Sequence, residues 1–202
     1  MLSEAIAGVL QLDEVVPMPW KNKGGRTREL CVFPPASDLA SFVWRASIAD
    51  VDADGAFSAF DGIDRTIVLL DGPGFRMHVN TAGTRTVHDL SEPFAPFRFT
   101  GEAAVAVALH GGATRDFNLM VRRSRAEGAL AVLTASGPLP ADTVLLHVAQ
   151  GSVRLHSAER AEGAAERLAA GATVLFRDGS VLPQLQCERG AAVIAVRIAF
   201  HV

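Results

Sequence analysis

Cysteine is scarce: Cys31 and Cys187 are the only two in 202 residues. That is too few to staple a chain of this size, so a disulfide framework is excluded and a reducing compartment is the default. A basic excess is missing too. The net charge is −3 with pI ≈ 6.1, which argues against a nucleic-acid partner, since phosphate backbones call for a basic face. The cluster Arg122-Arg123-Ser124-Arg125 is the local exception and reads as a solvated strand end or loop. No run approaches the roughly 18 apolar residues of a membrane helix. The first residues carry Glu4 and Asp13 with interrupted apolar positions and no basic leader, unlike a secretory signal. A cytoplasmic protein without a membrane partner is therefore expected.

Catalytic and cofactor motifs are absent as well. There is no H-x-H: His78 and Asn80 have the spacing but the wrong second donor, Arg76 precedes them on the same face, and the other histidines are scattered. A lone strand histidine is usually a hydrogen-bonded structural residue, so no metal is expected. There is no G-x-S-x-G elbow, and neither cysteine sits in a context that would activate a thiolate. Gly72-Pro73-Gly74 lacks the rest of a nucleotide-binding loop and runs into a strand where such motifs need a helix. No cofactor is implied.

What is present is strand material with turns. Phe42 to Ala49 alternates, with Trp44, Ala46 and Ile48 on one face and Arg45 and Ser47 on the other. Arg65-Thr66-Ile67-Val68-Leu69-Leu70 runs through Asp71-Gly72-Pro73-Gly74 into Phe75-Arg76-Met77-His78-Val79, a strand, turn and strand. Sliding the chain by 78 positions lays Phe75 to His78 on Val153-Arg154-Leu155-His156, and pairs Leu90 with Leu168, Phe97 with Leu175 and Gly101 with Gly179. One ungapped offset over some 30 residues marks an internal duplication. The fold expected is all-β: a bicupin of two jelly-roll-like β-barrels packed as one unit, with residues 1–125 and 126–202 as its halves. Residues 157–170 have helical composition, but the duplication sets them opposite loop-like 79–92, and tertiary context should prevail. The first dozen residues suit either a helix or an irregular lead-in to a strand.

Met18 to Glu29 crowds Trp20, Asn22, Gly24, Gly25 and Arg28 into one segment. Adjacent glycines allow positive φ and close backbone approach, and Asn and Arg offer planar donors, so the segment reads either as a small-molecule binding loop or as a polar turn. Further polar groups sit on alternating strands: Arg45 with Ser47, Arg65, and Asp116, Asn118 and Met120 on one face of Phe117-Asn118-Leu119-Met120-Val121. An inward arginine needs an internal carboxylate, such as Asp116 or Glu29, or an acidic ligand. Both remain open on this ground.

The string Pro19-Trp20-Lys21-Asn22, Gly24-Gly25, Thr27-Arg28-Glu29, Trp44 to Ala49, Asp54-Gly55-Ala56-Phe57-Ser58, Asp64-Arg65 and Asp116 to Met120 resembles the HutD/Ves family of cupin-type proteins in content and order. Lys23 departs from the glycine expected there. The resemblance implies a bicupin, a link in many bacteria to histidine utilisation, and a pocket with no established catalytic activity. It implies sensing or buffering of an acidic intermediate such as formiminoglutamate, with Trp20, Asn22, Gly24, Gly25, Arg28, Arg45, Ser47, Arg65, Asp116, Asn118 and Met120 as ligand-binding residues. A metal-independent isomerase or hydrolase using Asp116 as acid or base is the alternative, and an interaction module the third; a homodimer stays open.

Overall fold

The computed structural model describes residues 2–157 and 165–201. After a short helical turn at Leu2–Ala5 come β1 (Ile6–Gln11), β2 (Met18–Pro19), β3 (Gly25–Phe33), β4 (Trp44–Val51), β5 (Gly55–Phe57), β6 (Ile63–Asp71), β7 (Phe75–Thr81), β8 (Thr84–Leu90), β9 (Pro96–Thr100), β10 (Ala104–Leu109) and β11 (Thr114–Arg122). The series continues with β12 (Ala126–Leu133), β13 (Gly137–Pro138), β14 (Thr143–Gln150), β15 (Ser152–His156), β16 (Glu166–Ala169), β17 (Ala172–Phe176), β18 (Gln184–Cys187) and β19 (Ala192–Phe200). The all-β expectation holds. No helix among the described residues is long and apolar enough to cross a membrane.

Two compact units form. One comprises Val16–Gly128 with the last residues from Phe200, the other Ala129–Ala199 with the chain up to Val15. The division is thus not a single cut near residue 125: β1 pairs with β17, which ties the first residues to the second half, and the cut falls inside β12. The first unit has a six-stranded sheet in the order β2-β3-β4-β11-β6-β9 and a four-stranded sheet β5-β10-β7-β8; the second has β1-β17-β14-β19-β12 and β13-β18-β15-β16. In each unit one apolar cluster joins the two sheets, so each is a pair of facing sheets sharing a core.

The duplication is visible in the topology, strand for strand: β5-β10-β7-β8 recurs as β13-β18-β15-β16, and β4-β11-β6-β9 as β12-β19-β14-β17. In the smaller sheets the offset of 78 keeps both register and facing: His78 opposite Ala106 recurs as His156 opposite Gln184, and Phe75 opposite Leu90 as Val153 opposite Leu168. In the larger sheets the facing slips by one residue. Ile67 and Leu69 face the core of the first unit, but Leu146 and Val148 do so in the second, because the step from the last of these to the next core residue, Val148 to Val153, is one residue shorter than that from Leu69 to Phe75. A one-residue slip flips every side chain, so Leu175, matched by sequence to Phe97, does not occupy its inward position; Val174 does.

The segment read as loop-like is a strand in both repeats. β8 pairs with β7, and β16 with β15; residues 158–164 lie outside the described ones. β8 is exposed along most of its length, so it never shows the apolar alternation that marks a strand in sequence. His78 follows Met77 on β7 and points away from the core that Met77 and Val79 enter.

Candidate functional site

The first unit's larger sheet turns its polar face inward. Alternation on β4 sets Arg45, Ser47, Ala49 and Val51 on the face that meets the smaller sheet, where Val51 joins the core. Pairing then builds rows across this face. One runs Glu29, Ser47, Asn118, Ile67, Phe97; the next Val32, Arg45, Met120, Arg65, Phe99; a third Thr27, Ala49, Asp116, Leu69. Arg45 and Arg65 thus flank Met120, two strand spacings or about 10 Å apart. All of these polar groups except Thr27 and Glu29 are buried, with Asp116 only 1% exposed.

Each arginine is held differently. Arg45 donates from Nε to Glu29 Oε2 at 2.6 Å and from Nη1 to Ser47 Oγ at 3.3 Å. The carboxylate that meets Arg45 is therefore Glu29, not Asp116. Among the described residues Arg65 makes no ion pair: its guanidinium carbon lies 5.6, 5.7 and 4.9 Å from the ring centroids of Phe57, Phe60 and Phe99, and Nη1 donates to the Ser58 carbonyl at 3.4 Å. Cation–π contact suits a weakly hydrated planar cation. Arg65 Nε, Asp116 Oδ2 and Asn118 Oδ1 are buried without a hydrogen-bond partner among the described residues. Orphaned polar atoms in one interior are costly, and they mark a place built for water or a ligand. Burial pushes Asp116 up to about 7 against the pull of Arg65, with a further push from Asp50. Burial pulls Arg65 down to about 10, opposed by Asp116 and helped by Arg45.

Trp20 closes one side. Its Nε1 donates to Thr27 Oγ1 at 2.7 Å and its ring meets Phe57 edge-on at 5.9 Å. Asn22 is turned to its own loop, accepting from the Gly24 amide at 3.0 Å. Of the loop residues it is Lys23, with φ 60, that takes the left-handed conformation rather than either glycine. Gly25 serves close approach instead: a Cβ there would lie 2.3 Å from the Asp50 carbonyl oxygen and 3.2 Å from the Trp20 ring. Gly25→Ala is expected to cost about 1–3 kcal/mol, whereas Gly24→Ala, whose nearest neighbour is the Asn22 side chain at 3.4 Å, should be tolerated. Denaturant melts of the two variants check this; equal stabilities would refute it.

Arg28 is not in this interior. It pairs with Ile48 on the opposite face and donates to Asp50 Oδ2 at 2.6 Å, beside Arg26 on the same oxygen and Arg115 on Oδ1. Counting by twos along β3 from Gly25 reaches Thr27 and Glu29, two interior polar residues not expected among the ligand-binding ones, and leaves Arg26 and Arg28 outside; parity groups these residues, but only the pairing of Gly25 with Val51 says which group faces in. Phe57 and Phe99 carried no sequence signal of contact with Arg65. Among the described residues no three His, Cys, Asp or Glu side chains gather as a metal site would need.

The second unit gives the contrast. Leu146 and Val148 stand where Ile67 and Leu69 do, and their cross-strand partners Ala195 and Val193 stand where Asn118 and Asp116 do. All four are fully buried in an apolar core. At these four positions the same arrangement of strands is built from apolar residues alone, so the fold does not require polar groups where Asp116 and Asn118 stand.

Residues 12–195 match the HutD family. The chain belongs to the HutD/Ves family. It is 38% identical over 154 residues to a 21.2 kDa protein of the hutC 3′ region of Pseudomonas putida, covering 75% of this chain and 78% of that one. It is 40% identical over 114 residues to protein Ves of Citrobacter koseri, covering 56% of each. Among solved structures, a conserved protein of unknown function from Pseudomonas aeruginosa superimposes with TM-score 0.80 at 33% identity over 95% of this chain and 97% of that one. HutD from Pseudomonas fluorescens, in a formate condition, does so with TM-score 0.80 at 27% identity over 96% and 99%. Oxalate decarboxylase from Lactobacillus farciminis, at 9% identity and TM-score 0.61 over 95% and 85%, shares the fold alone.

Proposed function

We propose that this HutD/Ves protein binds a small acidic molecule in the polar interior of its first unit, and that it senses or buffers an acidic intermediate of histidine degradation of the formiminoglutamate type. The observation that carries the reading is Arg65: a buried guanidinium with an orphaned Nε and, among the described residues, no ion-paired carboxylate, on the same sheet face as Asp116 and Asn118, whose counterparts in the second unit are the apolar Val193 and Ala195. Burying an unpaired cation is unfavourable unless something anionic compensates it. A ligand carboxylate would do so and accept charge-assisted hydrogen bonds. The second reading, a metal-independent isomerase or hydrolase, is favoured by Asp116, whose carboxyl is raised to about 7 and so could exchange a proton near neutrality.

Thermal shift with histidine, urocanate, formiminoglutamate, formylglutamate and glutamate, against neutral succinamide, tests the proposal. An acid at about 100 times its Kd adds roughly 2.7 kcal/mol, a rise of about 5–10 °C for a chain of this size. No shift with any acid, or an equal shift with succinamide, removes the acidic-ligand reading. Turnover of a bound acid would favour the enzyme instead.

A further inference from the structure

Resting on that reading, we infer that the interior takes up a carboxylate together with one proton, and that the proton resides on Asp116, which then donates a hydrogen bond to the ligand beside Arg65. The inference begins with a charge count. The groups facing this interior are Glu29 from β3, Arg45 from β4, Arg65 from β6 and Asp116 from β11, with Thr27, Ser47 and Asn118 as neutral polar neighbours. Asp50 acts on Asp116 from the other face of the sheet. From the smaller sheet the facing residues are apolar, Phe57, Phe75, Met77, Val79, Leu90, Val105 and Val107, apart from His88 on β8, stacked on Phe97 at 3.7 Å. Burial lowers the His88 pKa from its ordinary value, so His88 stays neutral above that range.

With Asp116 ionised, two arginines and two carboxylates cancel, and an incoming carboxylate would leave the interior with an uncompensated negative charge. With Asp116 neutral the interior carries one positive charge, which a single carboxylate cancels. The geometry agrees. Asp116 Oδ2 is buried and has no partner, and Asn118 Oδ1, next but one on the same strand face, is an unpartnered acceptor as well. An ionised Oδ2 makes two unpartnered acceptors to the one orphaned donor, Arg65 Nε, whereas a protonated one supplies a second donor. Proton transfer here is simple binding: Asp116 gains a proton from solvent when the ligand enters and returns it when the ligand leaves. Tight binding and neutral Asp116 are therefore linked, and raising the pH weakens the complex.

The probe is formate, whose own charge does not change in the range used, titrated calorimetrically into the full chain. Affinity is expected to fall about twentyfold from pH 6.5 to 8.5, the consequence of a site that must be protonated near 7 before it binds. At pH 8 each formate should bring close to one proton, read as a binding enthalpy that changes with the ionisation enthalpy of the buffer. Asp116→Asn, neutral at every pH and still able to donate, should bind with a flat pH profile and no proton uptake. Binding by the wild type that is independent of pH and of buffer overturns the inference and leaves the acidic-ligand reading standing. A wild-type pH dependence that persists unchanged in Asp116→Asn also overturns it. If neither formate nor any acid of the panel binds, both fail.

Discussion

Asp50→Ala is expected to destabilise the fold by about 2–4 kcal/mol, lowering Tm by roughly 5–15 °C. Asp50 is only 6% exposed, and its two oxygens accept from three guanidiniums on β3 and β11: Arg28 at 2.6 Å, Arg26 at 3.0 Å and Arg115 at 2.7 Å. Removing it leaves three neighbouring cations without their common anion. The Arg26 and Arg115 side chains are 48% and 38% exposed and can turn to water, which keeps the loss below that of a fully buried pair. Arg28, 19% exposed, cannot do so as easily. Burial raises the Asp50 pKa, but the hydrogen bonds from Arg115, Arg26 and Arg28 outweigh it and hold it at about 2. Its folded value lies below its unfolded one, so its contribution is present above the ordinary carboxylate range and is lost as pH falls through about 2. The stability gap between wild type and variant should accordingly narrow between pH 4 and pH 2 in urea melts. A gap that stays constant over that range would show that the arginines do not act through the charge.

Arg45→Ala and Arg65→Met are expected to cut acid-induced stabilisation to about half or less while leaving the fold nearly intact, each for its own reason. Charge-assisted hydrogen bonds contribute about 1.5–3 kcal/mol apiece, so losing either arginine should weaken acid binding at least tenfold. The carboxylate that Arg45 leaves behind is Glu29, whose side chain is 33% exposed; water replaces the lost partner and the stability cost should stay near 1 kcal/mol. Arg65→Met removes a buried cation that has no carboxylate bond and puts an apolar chain among three phenylalanines. Its Tm should equal or exceed that of the wild type, because desolvating an unpaired charge costs more than its ring contacts return. Circular dichroism melts with and without formylglutamate read both quantities. A loss of more than about 2 kcal/mol in Arg65→Met would make Arg65 a structural residue and take away the main support for the site.

The amino-acid sequence by itself determined the all-β class, the duplication and the grouping of the polar residues by strand face. Arg45 with Ser47, and Asp116 with Asn118 and Met120, share faces because a period of two is a local property of an extended chain. It also determined family membership, since residues 12–195 match the HutD family. Three things were decided only in three dimensions. Arg28 left the interior for Asp50, and Glu29 took the place beside Arg45, because a strand's facing depends on where its pairing register is anchored, here at Gly25 against Val51. β1 joined the second unit through its pairing with β17, a contact between the two ends of the chain that no local pattern encodes. Finally, the polar face of β4 became the inside and not the outside. Alternation separates a greasy face from a polar one, but on a strand buried on both faces only the packing of the second sheet decides which of them encloses the arginines.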